Sequence, residues 1–74
     1  MQSLIGPYVP QIYQIRVREY LDDEVAAWFC PLTIVHEPDG ATLLTGPVRD
    51  QAELHGVLIK VRDLNLTLLC VVKQ

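Results

Sequence analysis

LTIVHEPDGATLLTGPVRDQAELHGVLIKVRDLNLTLLCVV, residues 32–72 of a 74-residue chain, holds the pattern that decides the fold. Leu32 to His36 and Ala41 to Gly46 are two β-rich runs on either side of Glu37-Pro38-Asp39-Gly40. That proline, aspartate and glycine each favour tight reversal, so the spacing predicts a hairpin. Gly46-Pro47 then bends the third strand into a helix. Asp50 with Glu53 three places on is an aspartate version of the capping box, and Leu54, Leu58, Val61 and Leu64 recur at four, three and three. Asn65, which tolerates left-handed backbone, stands where the periodicity stops. The run LTLLCVV over residues 66–72 is short, apolar and partly β-branched, and is expected to be a strand.

Upstream, IYQIRVREYL over Ile12 to Leu21 alternates, with Tyr13, Ile15 and Val17 on one side and Gln14, Arg16 and Arg18 on the other. This is the signature of a half-buried strand. Asp22 offers an acceptor to the free amides of a helix start, and Asp23 and Glu24 suit the positive end of the helix dipole. Val25, Trp28 and Phe29 share a face of the short helix that follows, and it ends before Pro31. Trp28 and Phe29 are expected as core anchors. Residues 1–11 contain Gly6, Pro7 and Pro10 and form an arm, made apolar by Leu4, Ile5, Tyr8 and Val9. Residues 12–74 are then a single domain.

The order β-α-β-β-α-β in so short a span has one common solution: an α+β, ferredoxin-like plait. Its sheet has four antiparallel strands, usually ordered 4-1-3-2, with two helices on one face. Half of the residues are apolar and a fifth are charged, which supplies a core and argues against disorder. A chain of this size buries a modest share of its surface, so burial against a partner is a natural expectation.

The helix-free face of such a sheet must meet solvent or a partner. Gln14, Arg16 and Arg18 are expected there on the first strand, and Thr33 and Val35 on the second. On the last strand, if Leu66, Leu68, Cys70 and Val72 point to the helices, then Thr67, Leu69 and Val71 point the other way and are apolar enough to need cover. In the third strand Leu43 and Leu44 are adjacent, and the pattern does not say which points inward. Leu69 and Val71 are either covered by the N-terminal arm or left as ordinary exposed residues, or else they are buried in a homodimer, through stacked sheets or paired edge strands, which is the expected partner arrangement.

Catalytic constellations are absent from the pattern. His36 and His55 are the candidates for acid–base work, since histidine is the side chain that ordinarily titrates near neutral pH. Each also has an ordinary place, His36 closing a strand beside a turn and His55 bordering a helix face. His36, Glu37 and Asp39 cluster only locally, so no metal or other cofactor is expected. Cys30 and Cys70 lack CxxC spacing and are expected as buried, reduced thiols of a cytoplasmic protein. A net charge of −3 disfavours nucleic acid, and no apolar run is long enough for a membrane span. The third strand also lacks the aromatic residues of an RNA-recognition sheet.

WF at Trp28-Phe29, LTIVHEPDG from Leu32, and TLLTGPVRDQAELHGVLIKVRDLNLTLLCV from Thr42 together resemble a family of small bacterial proteins of unassigned function, over about Tyr13 to Val72. The resemblance is carried by Gly46-Pro47, Asp50-Gln51, His55-Gly56 and Arg62-Asp63-Leu64, and implies no catalytic or ligand role for any of them. Three functions remain open. The first is a non-enzymatic interaction or regulatory module, self-associating or bound to another protein. The second is a small dimeric α+β barrel enzyme using His36 or His55, and the third a small-molecule sensor in which Arg16 or Arg18 holds a carboxylate.

Overall fold

A computed structural model describes residues 11–74 of the chain. Strand β1 (Gln11–Val17) leads to helix α1 (Asp23–Ala26), which tightens into a 3₁₀ turn (Ala27–Phe29). Strands β2 (Thr33–His36) and β3 (Thr42–Val48), helix α2 (Gln51–Asp63) and strand β4 (Leu68–Lys73) follow. The fold is α+β, with one four-stranded antiparallel sheet ordered β2-β3-β1-β4 and two helices. Gln11 lies in β1, opposite Val48, so the expected arm loses its last residue to the sheet. The rest of that arm is outside the described residues.

The hairpin forms because Gly40 takes a left-handed φ of 94° and the Asp39 carboxylate accepts the Ala41 N–H at 3.0 Å. Helix α2 starts where Asp50 accepts the Glu53 N–H at 2.8 Å. The returning Glu53 carboxylate takes the Arg49 N–H at 2.6 Å, one residue earlier than a standard capping box. At its end Asn65, with φ 59°, donates to Arg62 O and Leu66 N–H reaches back to Val61 O. This is a Schellman stop, and it aims the chain into β4.

Register sorts the side chains. Ile15 of β1 lies opposite Leu44 of β3 and Val71 of β4, and Ile34 of β2 lies opposite Leu44. Residues directly opposite across an antiparallel ladder share a face, so these four point the same way. That face meets Leu21, Phe29, Leu32, Leu54 and Val61 in one core, with Val17 and Val48 beside them. Leu44 is therefore the inward leucine and Leu43 the outward one.

Several expectations are corrected. The first strand stops at Val17 instead of Leu21, because buried Thr42 captures the link that follows: its hydroxyl donates to Glu19 O at 2.8 Å and accepts the Leu21 N–H at 3.1 Å. Strand β3 does not end at Gly46 but runs through Pro47 to Val48. Proline is tolerated because the pairing alternation turns its nitrogen toward the β2 side, and β2 has no residue opposite it. Glycine at 46 answers a close approach, since a Cβ would stand 3.0 Å from Leu32 Cδ2.

Only one of the two expected aromatic anchors is inside. Phe29 is buried whereas Trp28 is 57% exposed, because the chain tightens to 3₁₀ winding at Ala27 and the two neighbours point apart. Both cysteines are exposed as well, against the expectation of burial. Cys30 caps the 3₁₀ turn, and Cys70 stands on the open face of β4.

Candidate functional site

The helix-free face of the sheet is an ordered grid. Val35, Leu43, Arg16 and Cys70 make one row, and Thr33, Thr45, Gln14 and Val72 the next. Pro47 and Ile12 begin a third. Gln14 and Arg16 are thus on the open face, as their alternation requires. Arg18 lies one residue past β1, exposed, and its backbone N–H donates to Thr67 O at 2.9 Å.

Arg16 has a partner that sequence reasoning missed. Its Nη2 donates to Glu37 Oε2 at 3.2 Å and its Nε stands 3.0 Å from Glu37 Oε1, an ion pair with one hydrogen bond in which Oε1 itself accepts none. In the sequence Glu37 stands in the turn and in a local cluster with His36 and Asp39, with nothing to join it to Arg16. The pairing consumes the fork that a ligand carboxylate would need, and it pins the end of β2 to the centre of the sheet.

The face assignment expected for β4 holds at Leu68, opposite Val17, and is inverted from Cys70 to Val72. Val71 pairs with Ile15 and so sits on the helix side, while Cys70 and Val72 oppose Arg16 and Gln14 on the open side. The cause is a register shift at Arg16/Val17, where two β4 residues, Leu68 and Leu69, span what one would elsewhere. A strand apolar on both sides carries no alternation from which the bulge could be inferred. Thr67 precedes the strand and acts as a tether: its N–H and hydroxyl both donate to the Glu19 carboxylate, each at 2.8 Å. The backbone N–H of Thr67, and then its hydroxyl, hold the Glu19 carboxyl below its ordinary range.

Every residue of β4 is exposed, with Leu69 at 42% and Val72 at 46%. One edge of the strand pairs with β1, and among the described residues nothing pairs with the other. Gln74 N–H donates to Ile12 O. Alternation from that bond turns the backbone groups of Val72 and Cys70 toward β1 and those of Val71 and Lys73 outward.

The histidines lie on different elements and are differently engaged. His36 donates from Nε2 to Leu21 O at 2.8 Å, and its ring stacks on Tyr20 with centroids 4.2 Å apart. It closes the end of the sheet. His55 is exposed on α2, beside Leu58, Ile59 and Arg62 in a shallow depression. No carboxylate is placed behind either ring among the contacts of the described residues, and no group of three metal-ligating side chains gathers there.

Residues 12–72 match the family described as a domain of unknown function, DUF8691. The chain belongs to this family. The match covers β1 through β4 up to Val72, so the family is defined over the whole sheet with both helices. No curated protein and no solved structure matches the chain. No helix of the described residues is long and apolar enough to cross a membrane.

Proposed function

We propose that this chain is a non-enzymatic interaction module of the cytoplasm, a ferredoxin-like plait that pairs with a second copy of itself along β4. The element order, with β1 and β3 central and β2 and β4 at the edges, supports that fold. The observation that carries the reading is β4 itself: six consecutive residues, LLCVVK, exposed on both faces and, among the described residues, bonded along one edge only. An apolar, unpaired edge is a template for another strand, and symmetric antiparallel pairing satisfies it at once. The outward N–H and C=O groups of Val71 and Lys73 would enter that ladder, and the two sheets would join into one of eight strands. The half-exposed Val71 and Val72 would gain cover on opposite faces.

Equilibrium sedimentation of the full chain tests this. The expected species is a dimer, and V71P, which removes an outward N–H without touching the ladder to β1, is expected to be a monomer of unchanged strand content by circular dichroism. V71K serves as a second variant should proline disturb the strand. A native chain that sediments as a monomer at every concentration, or V71P and V71K chains that remain dimeric, overturns the proposal.

A further inference from the structure

Away from β4, a groove of about 270 Å³ opens between α2 and the segment joining α1 to β2. Its apolar floor is Phe29, Leu32, Val48 and Val57. The helix wall is a stripe at i, i+3, i+4 and i+7, namely Glu53, Gly56, Val57 and Lys60. Two of these residues bear on what the groove could hold.

Gly56 is the first. It sits in the middle of the 13-residue α2, where glycine is the least favourable residue short of proline. Its backbone is not left-handed, and a Cβ built there meets nothing within 4 Å. No packing contact in the described residues requires the missing side chain. What glycine does provide is an open stretch of wall along the groove.

Lys60 is the second. Its Nζ donates to Trp28 O at 2.7 Å, which holds the ammonium at the groove mouth instead of letting it trail into solvent. It takes no part in the ion pairs of the described residues, which join Arg16 to Glu37, Arg49 to Glu53 and Arg62 to Asp63. The other charge on the wall, Glu53, is already met by the Arg49 N–H and by Arg49 Nε at 3.3 Å. The uncompensated charge is positive, beside an apolar floor.

We infer that this groove binds a small amphipathic carboxylate, with its apolar body against Gly56 and the floor and its carboxylate on Lys60. The volume is just below the range of about 300–1,000 Å³ usual for drug-sized ligands, which favours a compact aromatic or branched acid. An ammonium already anchored by one hydrogen bond loses little freedom on taking a second partner, and a charge-assisted bond at the rim adds orientation. The site does not depend on pairing through β4.

Phenylacetate is the probe, titrated into the isotope-labelled full chain and followed by amide NMR shifts, with phenylacetamide as the uncharged control. The expected result is a saturable shift of Leu32, Val48, Gly56 and Val57, with phenylacetamide weaker by about tenfold. K60M is expected to weaken phenylacetate by a similar factor. G56A and G56L are expected to raise the melting temperature, because a good helix former replaces glycine, while G56L abolishes binding. V71P is expected to bind as the native chain does. The inference is overturned by no saturable shift, by equal binding of both probes, or by undiminished binding to G56L. Shifts at the same amides that follow protein concentration without any probe would overturn it too, since a second copy would then occupy the groove.

Discussion

Strands β3 and β4 look alike on paper and differ in the molecule. TLLTGPV and LLCVVK are both short, apolar runs, yet Thr42 and Leu44 of β3 are fully buried while every residue of β4 is exposed. Hydropathy does not separate them; position in the sheet does. β3 lies between β2 and β1 and beneath α2, whereas β4 is an edge. Helix α1 has only four residues, too few to cover the centre of the sheet alone. Helix α2 therefore packs toward β3, and the inner side of β4 is left open. An apolar strand exposed at a sheet edge is a template for further pairing, which is the physical basis of the self-pairing proposed above.

The sharpest way to break this contrast is to shorten one residue on each strand. L44A empties a filled site and is expected to cost about 2–5 kcal/mol in urea denaturation. V72A, exposed at the edge, is expected to cost less than about 1 kcal/mol measured on the monomeric V71P background, where loss of dimer contacts cannot add. Comparable losses would mean that the centre and the edge are not different environments.

Polar burial at the centre is the next test. T42V keeps the shape but removes the hydroxyl that bonds Glu19 O and Leu21 N–H. The stranded groups are expected to lower stability by about 1–3 kcal/mol, again by denaturant melts. G46A probes the same strand at its other end. Its Cβ would crowd the Leu32 side chain and backbone, at 3.0 and 3.4 Å, and about 1–3 kcal/mol is the expected loss.

The smallest effect concerns how β4 is tied to the rest. Glu19 has a folded-state pKa below the ordinary value near 4.5, so its bonds to Thr67 stabilise the fold above that value. The contribution is lost as pH falls through the lower, folded value. Acidification over that window is expected to shift the Thr67 amide in NMR spectra and to melt the start of β4 first. E19Q should flatten the response. A Thr67 amide that ignores pH in this range would remove the tether.

Local physics was legible at the level of elements. The hairpin over residues 32–46, the Asp50 start of α2, its buried Leu54 and Val61, and the left-handed Asn65 all depend on contacts within a few residues, and each stands in the molecule. The open-face placement of Gln14 and Arg16 was equally legible, because strict alternation in β1 has only one solution when its other side is apolar. The partners of these residues were not. Glu37 on Arg16 and Thr42 on Glu19 and Leu21 join positions more than twenty apart. The inward choice between Leu43 and Leu44, and the inverted faces of β4, depend on register.

Sequence alone thus determined which segments are strands and helices, and where helix α2 starts and stops, since capping, turn chemistry and periodicity act over a few residues of chain; the ends of β1, β3 and β4 were set by contacts across the fold. Tertiary structure alone decided that Trp28 and Cys70 face outward, that β4 is exposed on both faces among the described residues, and that a groove lies between Gly56 and Leu32. The reason is geometric: a one-residue bulge or a tightened turn reverses a side chain's direction while barely changing the hydropathy of the run that contains it.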